Sequence, residues 1–493
     1  MKKLFFLFII AGCVVSSCSK ADRDNPGQLS SDAFNKAIPV NGPVIVVPPD
    51  EDSDGDDTEE LTAAFAAAEP GSVIKLLPGE YHVGAMEIYD FHGSFIGAGR
   101  EKTVIILKVS INQKSQIDNN QSSGWWRLIG GDITLSDITF KIPDGFLSED
   151  DDYYSDFGSD LFGLFMANNY NDIYYHPEEP QKLLVKNCKF IGGTNTDTTK
   201  DKTWITEHNT WLGFWVGVDY MWPKDGVDYP LTKGDYVFKE CYFENFIDAN
   251  EGFTLGEEAT MTVTECIYNN CWWSLYFTAN YNSRIDINNN IFLNSTLADV
   301  TIEDQDWGFI PNTEIYPVKR CSYFVTGNQF NNSTTASIVV GDYYSVIDPE
   351  IYLPLLVTIK GNLFNMNGTG TGVNALNSQD IVIRNNRFRG TCSTGVYVDG
   401  VAAYDATGKE YPAPFANNAL ILGNNLNGLK ATTASVVLGE KSMNCTVIGT
   451  GNEKVIDNGV NNKVTAMKMV PGGHHFGPTI RDNLRMWHGR GHR

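Results

Sequence analysis

The chain is 493 residues long, with 60 acidic against 37 basic side chains and a formal net charge of -23. A body this acidic repels phosphate backbones and anionic lipid surfaces, which excludes nucleic acid as an expected partner. It leaves room for an anionic glycan, because a bound divalent cation or a local Lys/Arg cluster reverses the field at one site.

The first residues read as an export leader. Lys2 and Lys3 precede an apolar run over residues 4–15, which passes into Val15-Ser16-Ser17-Cys18. Small residues before a cysteine at that distance resemble the lipobox of bacterial lipoproteins, where the cysteine becomes the lipidated N-terminus. The run is too short for a spanning helix and stops in polar residues. Residues 1–17 are therefore expected to be a lipoprotein signal peptide, Cys18 the lipidation site, and residues 18–50 a polar, proline-containing tether. This implies a cell-envelope protein, on the outer membrane or cell surface, that meets the membrane through its N-terminal lipid only.

Asp50, Asp52, Asp54 and Gly55 match the opening of a calcium loop, but its twelfth position is Leu61 and not Glu, so an acidic linker is the reading taken. Asp57 and Glu60 are spaced as a capping box with Asp in the place of Ser or Thr. Leu61, Ala64, Phe65 and Ala68 then share one helical face, up to the stop at Glu69-Pro70-Gly71. A strand, Ser72-Val73-Ile74-Lys75-Leu76, follows. A helix here covers the open apolar end of whatever is stacked behind it.

From residue 187 onward a mark recurs: Asn or Cys, any residue, then an aromatic. It stands at Cys188-Lys189-Phe190, Cys241-Tyr242-Phe243, Cys266-Ile267-Tyr268, Asn290-Ile291-Phe292, Asn328-Gln329-Phe330, Asn362-Leu363-Phe364 and Asn386-Arg387-Phe388. A strand-like run such as Arg284-Ile285-Asp286-Ile287 precedes each mark and a second, such as Val396-Tyr397-Val398, follows it. Each copy predicts one coil of a solenoid, with the polar residues stacked as a hydrogen-bonded ladder, Cys as its small apolar filler and the aromatics stacked inside.

Spacing locates the variable edge. From ladder residue to following strand the counts are Cys241 to Phe253, 12; Cys266 to Leu275, 9; Asn290 to Val300, 10; Asn328 to Ile338, 10; Asn362 to Val373, 11; Asn386 to Val396, 10. From that strand to the next ladder residue they scatter between 13 and 28. Long insertions thus fall on one edge of the stack, the place where repeat arrays carry binding loops.

Seven cysteines remain beyond Cys13 and Cys18: Cys188, Cys241, Cys266, Cys271, Cys321, Cys392 and Cys445. No CxxC or Cys/His spacing points to zinc, and stacked reduced thiols are expected. Residues 51–462 are assigned to the solenoid. Residues 463–493, basic and His-rich, are assigned to a tail or a cover over the last coil.

Residues 69–81, with Ile96-Gly97-Ala98-Gly99 and Lys102-Thr103-Val104-Ile105, resemble the N-terminal coil of the right-handed parallel β-helix, or pectin-lyase-like, superfamily. The resemblance runs from about residue 56 to 460, and its shared motifs are structural. It implies an all-β, right-handed parallel β-helix with a short N-terminal capping helix. Members are mostly polysaccharide lyases, glycoside hydrolases and carbohydrate esterases, so it also implies a polysaccharide ligand and leaves the reaction open.

Alternation on the strand after each ladder residue puts Val300 and Ile302 inside, and Thr301, Glu303, Tyr276, Thr278, Asn374, Tyr397 and Asp399 outside. Outward carboxylates appear sparse, because Glu303 and Asp399 stand three coils apart, roughly 14 Å at the sheet spacing. The insertion after Val300 adds Asp304, Asp306 and Trp307, and then Lys319 and Arg320. A hydrolase would use two of these carboxylates as acid and base or nucleophile. A lyase acting on a uronic acid would hold calcium on Glu303, Asp304 or Asp306 and abstract a proton with Lys319 or Arg320. Trp204, Trp211, Tyr276, Trp307, Tyr343, Tyr344 and Tyr397 are the candidate sugar-stacking residues, since Trp and Tyr offer flat apolar faces with hydrated polar tips. The expectation is a monomeric cell-envelope lipoprotein that binds and cleaves a polysaccharide along its loop-bearing edge. The alternative is a non-catalytic glycan-binding or adhesive surface protein.

Overall fold

The computed structural model describes residues 42–50, 55–107, 124–143, 163–167, 180–194, 210–217, 234–253, 255, 258–278, 280, 282–303, 321–341, 356–401, 403–404, 410–411, 415–449 and 454–466. They form a right-handed parallel β-helix. One sheet has 14 strands and the other 21, and the coils pair in parallel register from end to end.

A coil is seen most simply in residues 284–303. The strand Arg284–Asn288 lies in the first sheet, Asn289 turns the chain with φ 57°, and Asn290 points inward. The short strand Ile291–Leu293 follows, Asn294 makes a second corner at φ 59°, and the strand Ala298–Glu303 completes the second sheet. The next coil repeats this, with Ser322 above Arg284, Gln329 beside Ile291 and Ile338 beside Val300. Left-handed backbone is open to Gly and tolerated by Asn, and the first corner is Asn289, Gly327, Gly361, Asn385 and Gly423 in five successive coils.

The expected ladder is present. Asn290 Nδ2 donates to Asn328 Oδ1 at 3.0 Å, Asn328 to Asn362 at 3.1 Å, Asn362 to Asn386 at 3.0 Å and Asn386 to Asn424 at 2.9 Å. Each amide also donates to a backbone carbonyl, as Asn328 does to Ile287 O at 2.9 Å. Nothing polar in this column is left without a partner in the dry interior. Toward the N-terminus Cys188, Cys241 and Cys266 take the same positions as free thiols that donate to backbone carbonyls, Cys266 Sγ to Thr264 O at 3.4 Å. Beside the ladder run stacked rings: Phe190–Phe243 at 4.7 Å, Phe243–Tyr268 at 5.0 Å, Tyr268–Phe292 at 5.2 Å, Phe292–Phe330 at 5.0 Å and Phe364–Phe388 at 4.3 Å between centroids.

The helix Thr58–Ala66 closes the N-terminal end, with Leu61 and Ala64 buried and the Phe65 ring 5.1 Å from Phe91 and 5.2 Å from Phe95. Its start differs from the expected capping box. Asp57 makes no side-chain cap bond; it is buried and accepts the amides of Asp50 and His82, each at 2.8 Å, which ties the helix to the strand Gly79–Val83. Asp56 accepts the Thr58 amide at 3.0 Å instead. The first sheet begins with Val44–Val47, inside the stretch expected as tether, and ends with Lys463–Ala466, inside the stretch expected as tail.

One register differs from the sequence reading. Asn250, not Phe253, pairs with Leu275, so the inward residue stands nine positions beyond Cys241, as Leu275 stands nine beyond Cys266. The slip of three residues matters because this strand, Phe246–Phe253, carries Glu251, whose facing it reverses.

Candidate functional site

The outer face of the second sheet is read directly from its register. Trp215, Glu251, Tyr276, Thr301, Val339 and Asn374 stand in one column, one per coil, all pointing away from the coil interior. Two residues further along, Thr278 pairs with Glu303. Three residues before, Asp248 pairs with Trp273. The strands Thr210–Gly217, Ala298–Glu303 and Ala336–Val340 end where this face runs out, ahead of residues 218–233, 304–320 and 342–355. Residues 144–162 and 195–209 instead fall between Thr139–Lys141 and Gly163–Ala167 and between Lys189–Ile191 and Thr210–Gly217, so the insertions are not confined to one edge, contrary to expectation.

Tyr276 and Glu303 meet where this face runs out, with Glu251 one coil away and Asp248 farther back on the same face. The Tyr276 phenol donates to Glu303 Oε2 at 2.6 Å. Its pKa is pushed well above the ordinary value of 10.0, first by burial, then by the charge and hydrogen bond of Glu303, then by the charges of Glu251 and Asp248. Three carboxylates therefore act on one phenol, which stays protonated and donates. Asp248 and Glu251 are nearly closed to solvent, at 3% and 6% exposure. Trp273 flanks the group, its ring 5.6 Å from Tyr276, and Trp272 meets Trp273 edge-on at 6.2 Å.

Of the expected site residues, Tyr276 and Glu303 are thus brought together. Tyr397 belongs to the same column but four coils away, about 19 Å at the sheet spacing. It donates to Asp399 Oδ2 at 2.7 Å, while Asp399 Oδ1 accepts the amides of Gly400 and Lys441. That carboxylate is spent on holding a corner. Trp211 stands on the strand Thr210–Gly217, with its side chain beyond what is described. Asp304, Asp306, Lys319, Arg320, Trp204, Trp307, Tyr343, Tyr344 and Cys18 lie outside the described residues.

Asp248 and Glu251 are the residues that sequence reasoning missed. Outward carboxylates are not sparse: Glu251 stacks directly on Tyr276, and Asp248 on Trp273. The signal was the constant distance from ladder to strand, which Cys241 and Asn250 obey and Phe253 breaks. Asn250 hid it by being polar at an inward position, where it is fully buried.

Among the described residues no group of three or more His, Cys, Asp or Glu side chains is set to hold a metal ion. The residues expected to share calcium with Glu303 fall outside them, so no step of the chemistry is built on that ion.

No protein-family model matches the chain, and no curated protein does. Solved structures do. A PL6 family alginate lyase is 16% identical with a TM-score of 0.40 over 71% of this chain and 40% of its own, so the chain spans about two fifths of that enzyme. The A-module of a mannuronan C-5 epimerase from Azotobacter vinelandii is 12% identical, TM-score 0.39, over 85% of this chain and 95% of its own. A DFA-IIIase from Arthrobacter chlorophenolicus A6 is 13% identical, TM-score 0.40, over 86% and 88%. At these values the likenesses carry no argument about chemistry, and the fold rests on the strand pairing above.

Proposed function

We propose that the chain is a glycoside hydrolase acting on a neutral polysaccharide, with Glu303 and Glu251 as its acid and base carboxylates and Tyr276 as the phenol that orients Glu303. The observation that carries this reading is the hydrogen bond of Tyr276 to Glu303 with Glu251 one coil away in the same outward column, at the edge ahead of residues 304–320. The superfamily resemblance of residues 69–81 supplies the substrate class.

Glycoside hydrolysis needs one carboxylic acid to protonate the leaving oxygen and a second carboxylate to activate water or attack the sugar. Glu303 Oε2 accepts the Tyr276 proton, which suits it to the base or nucleophile role. The proton donor then falls to Glu251, which stacks on Tyr276. Trp273 and Trp272 give apolar faces beside the acids for a sugar ring to rest on.

Charge favours a neutral substrate over a uronate in this reading. Among the described side chains of the outer column the cation is Arg127, three coils from Glu251 and ion-paired with Glu87 at 2.7 Å. An acidic face in an acidic protein repels a chain of uronic acids, whereas a neutral glycan meets no such barrier. In the same proposal the leader and Cys18 place this activity at the cell envelope, held by lipid.

The test is to incubate the purified protein with neutral and uronic-acid polysaccharides, with and without calcium. The reading expects new reducing ends from a neutral glycan and no conjugated uronate absorbance at roughly 235 nm. Glu251→Gln and Glu303→Gln should each lower the rate by about 10²–10⁴-fold. Absorbance from a uronate would make the protein a lyase, and retention without products would make it a binder; either result overturns the hydrolase.

A further inference from the structure

Behind the strands that carry Tyr276 and Glu303, on the inner side of the coils, lies a polar cluster closed off from solvent. Ser274, Ser295 and Asp299 are 0% exposed, Ser337 1% and Ser333 3%. Ser295 Oγ donates to Asp299 Oδ1 at 2.5 Å, and Ser333 Oγ donates to Asp299 Oδ2. Ser274 Oγ lies 2.9 Å from Ser295 Oγ, and Ser337 Oγ lies 3.1 Å from Ser333 Oγ and 3.8 Å from Met366 Sδ. The members sit on three successive coils. Ser274 is on the strand Trp273–Thr278 with Tyr276, Asp299 on Ala298–Glu303 with Glu303, and Ser337 on Ala336–Val340.

The direction of the protons follows from the donor inventory. An ionised Asp299 only accepts, so both arms point their hydroxyls toward it, Ser274 through Ser295 and Ser337 through Ser333. A protonated Asp299 must donate from one oxygen. That reverses the serine it meets and passes the reversal outward along the arm. One proton thus re-orients hydroxyls that link the strand of Tyr276 to the strand of Glu303. Burial pushes the Asp299 carboxyl up to about 7, against the serine hydrogen bonds that lower it, so the change falls near neutrality.

We infer that Asp299 and its four serines form an internal clamp that sets how the strands of Tyr276 and Glu303 lie against each other, and that protonation inside the coil changes its grip. Asp299 is a positioning residue, since it touches neither Tyr276 nor Glu303. The functional consequence rests on the hydrolase reading; the clamp itself does not.

Other titratable groups on the packed elements do not account for such a step. Burial pushes the Cys271 thiol up to about 12, and Tyr268 and Tyr276 are raised well above 10.0. Glu303, Glu251 and Asp248 stand on the opposite face of their strands. The strands Ala336–Val340, Ile291–Leu293, Gln329–Asn331 and Leu363–Asn367 carry no titratable side chain.

The sign follows from linkage. Asp299 binds its proton more tightly folded, at about 7, than unfolded, at about 3.9. Its contribution to stability is complete below about pH 4, declines as pH rises toward 7, and is level above that.

The experiment compares full-length wild type, Asp299→Asn and Ser337→Ala from pH 5.5 to 9, without polysaccharide. It follows the unfolding temperature and the deuterium exchange of amides in Trp273–Thr278 and Ala298–Glu303. Wild type should lose stability up to about pH 7 and then level, with protection of both strands, taken relative to the intrinsic base-catalysed exchange rate at each pH, about tenfold lower at the high end. Asp299→Asn should remove both steps, because an amide offers one acceptor and one donor at every pH. Ser337→Ala spares both direct bonds to Asp299 and removes a contact that lowers its pKa, so its step should move to higher pH. If Asp299→Asn does not fold, the Ser337→Ala shift decides. A flat wild-type profile, a step that survives Asp299→Asn, or an unmoved step in Ser337→Ala overturns the clamp. Failure of the cleavage assay alone would remove the hydrolase and leave these readouts standing.

Discussion

Tyr276 and Glu303 meet diagonally across one coil. In register Tyr276 lies against Thr301 and Glu303 against Thr278, yet the phenol reaches the carboxylate at 2.6 Å. The bond orients a carboxylate at the very point where the chain leaves the sheet for the 304–320 stretch.

Tyr276→Phe removes that donor and leaves the ring. A hydrogen bond to a charged group contributes about 1.5–3 kcal/mol, so a loss of roughly 10–100-fold in kcat/KM is expected, expressed mainly in kcat. Steady-state kinetics on the cleaved glycan checks it. An unchanged rate would reduce Tyr276 to a packing residue.

Asn328→Ala cuts the ladder at its middle. Asn328 Oδ1 accepts from Asn290, and its amide donates to Ile287 O and Asn362 Oδ1. Several buried groups lose their partners at once, at about 1–3 kcal/mol each, so a destabilisation of several kcal/mol is expected with the outer face unchanged in sequence. Urea unfolding followed by circular dichroism measures it. A change under about 1 kcal/mol would mean that the ladder is replaceable by ordinary packing.

The thiols of Cys188, Cys241 and Cys266 should be silent in the native protein. Burial holds Cys188 and Cys266 well above the ordinary thiol value of 9.0, and all three are fully buried. A raised thiol pKa keeps the thiolate scarce, so a thiol reagent at about pH 8.5 should label them only after denaturation. Mass spectrometry of the labelled peptides counts them in each state. Rapid native labelling would show that the N-terminal coils open.

Gly341→Ala should fail to fold or unfold many degrees below wild type. Gly341 has φ +89°, and a Cβ there would come 1.6 Å from Leu376 O in the next coil. Backbone is on the receiving side, so no side-chain shift relieves the clash. Expression yield and a thermal melt test this, with Gly368→Ala as the control, since a Cβ at Gly368 meets nothing within 4 Å.

The architecture was legible because its marks are periodic and each has a physical reason to recur. Asn290, Asn328, Asn362 and Asn386 must stack to satisfy one another, and Phe292, Phe330 and Phe364 follow at a fixed offset. The site was half legible. Tyr276 and Glu303 fell outward by alternation from Leu275 and Val300. Glu251 did not, because Phe253, an apolar residue, marks the strand while the inward position is held by Asn250; Asp248 escapes alternation from Asn250 because the strand breaks its alternation before it. Asp299 was overlooked for a related reason. The alternation that holds from Val300 onward breaks just before it, so Asp299 turns inward beside an inward neighbour.

The corners at Asn289, Gly327, Gly361 and Asn385 have a further consequence. Each joins two flat faces through a single residue, so a coil is held in register by the coils above and below it. The interval between Glu303 and Cys321 contains none of these corners, so a foreign segment spliced there leaves their residues unchanged. The scaffold is therefore a rack for interchangeable cassettes, on which new specificities can be installed without redesigning what holds them.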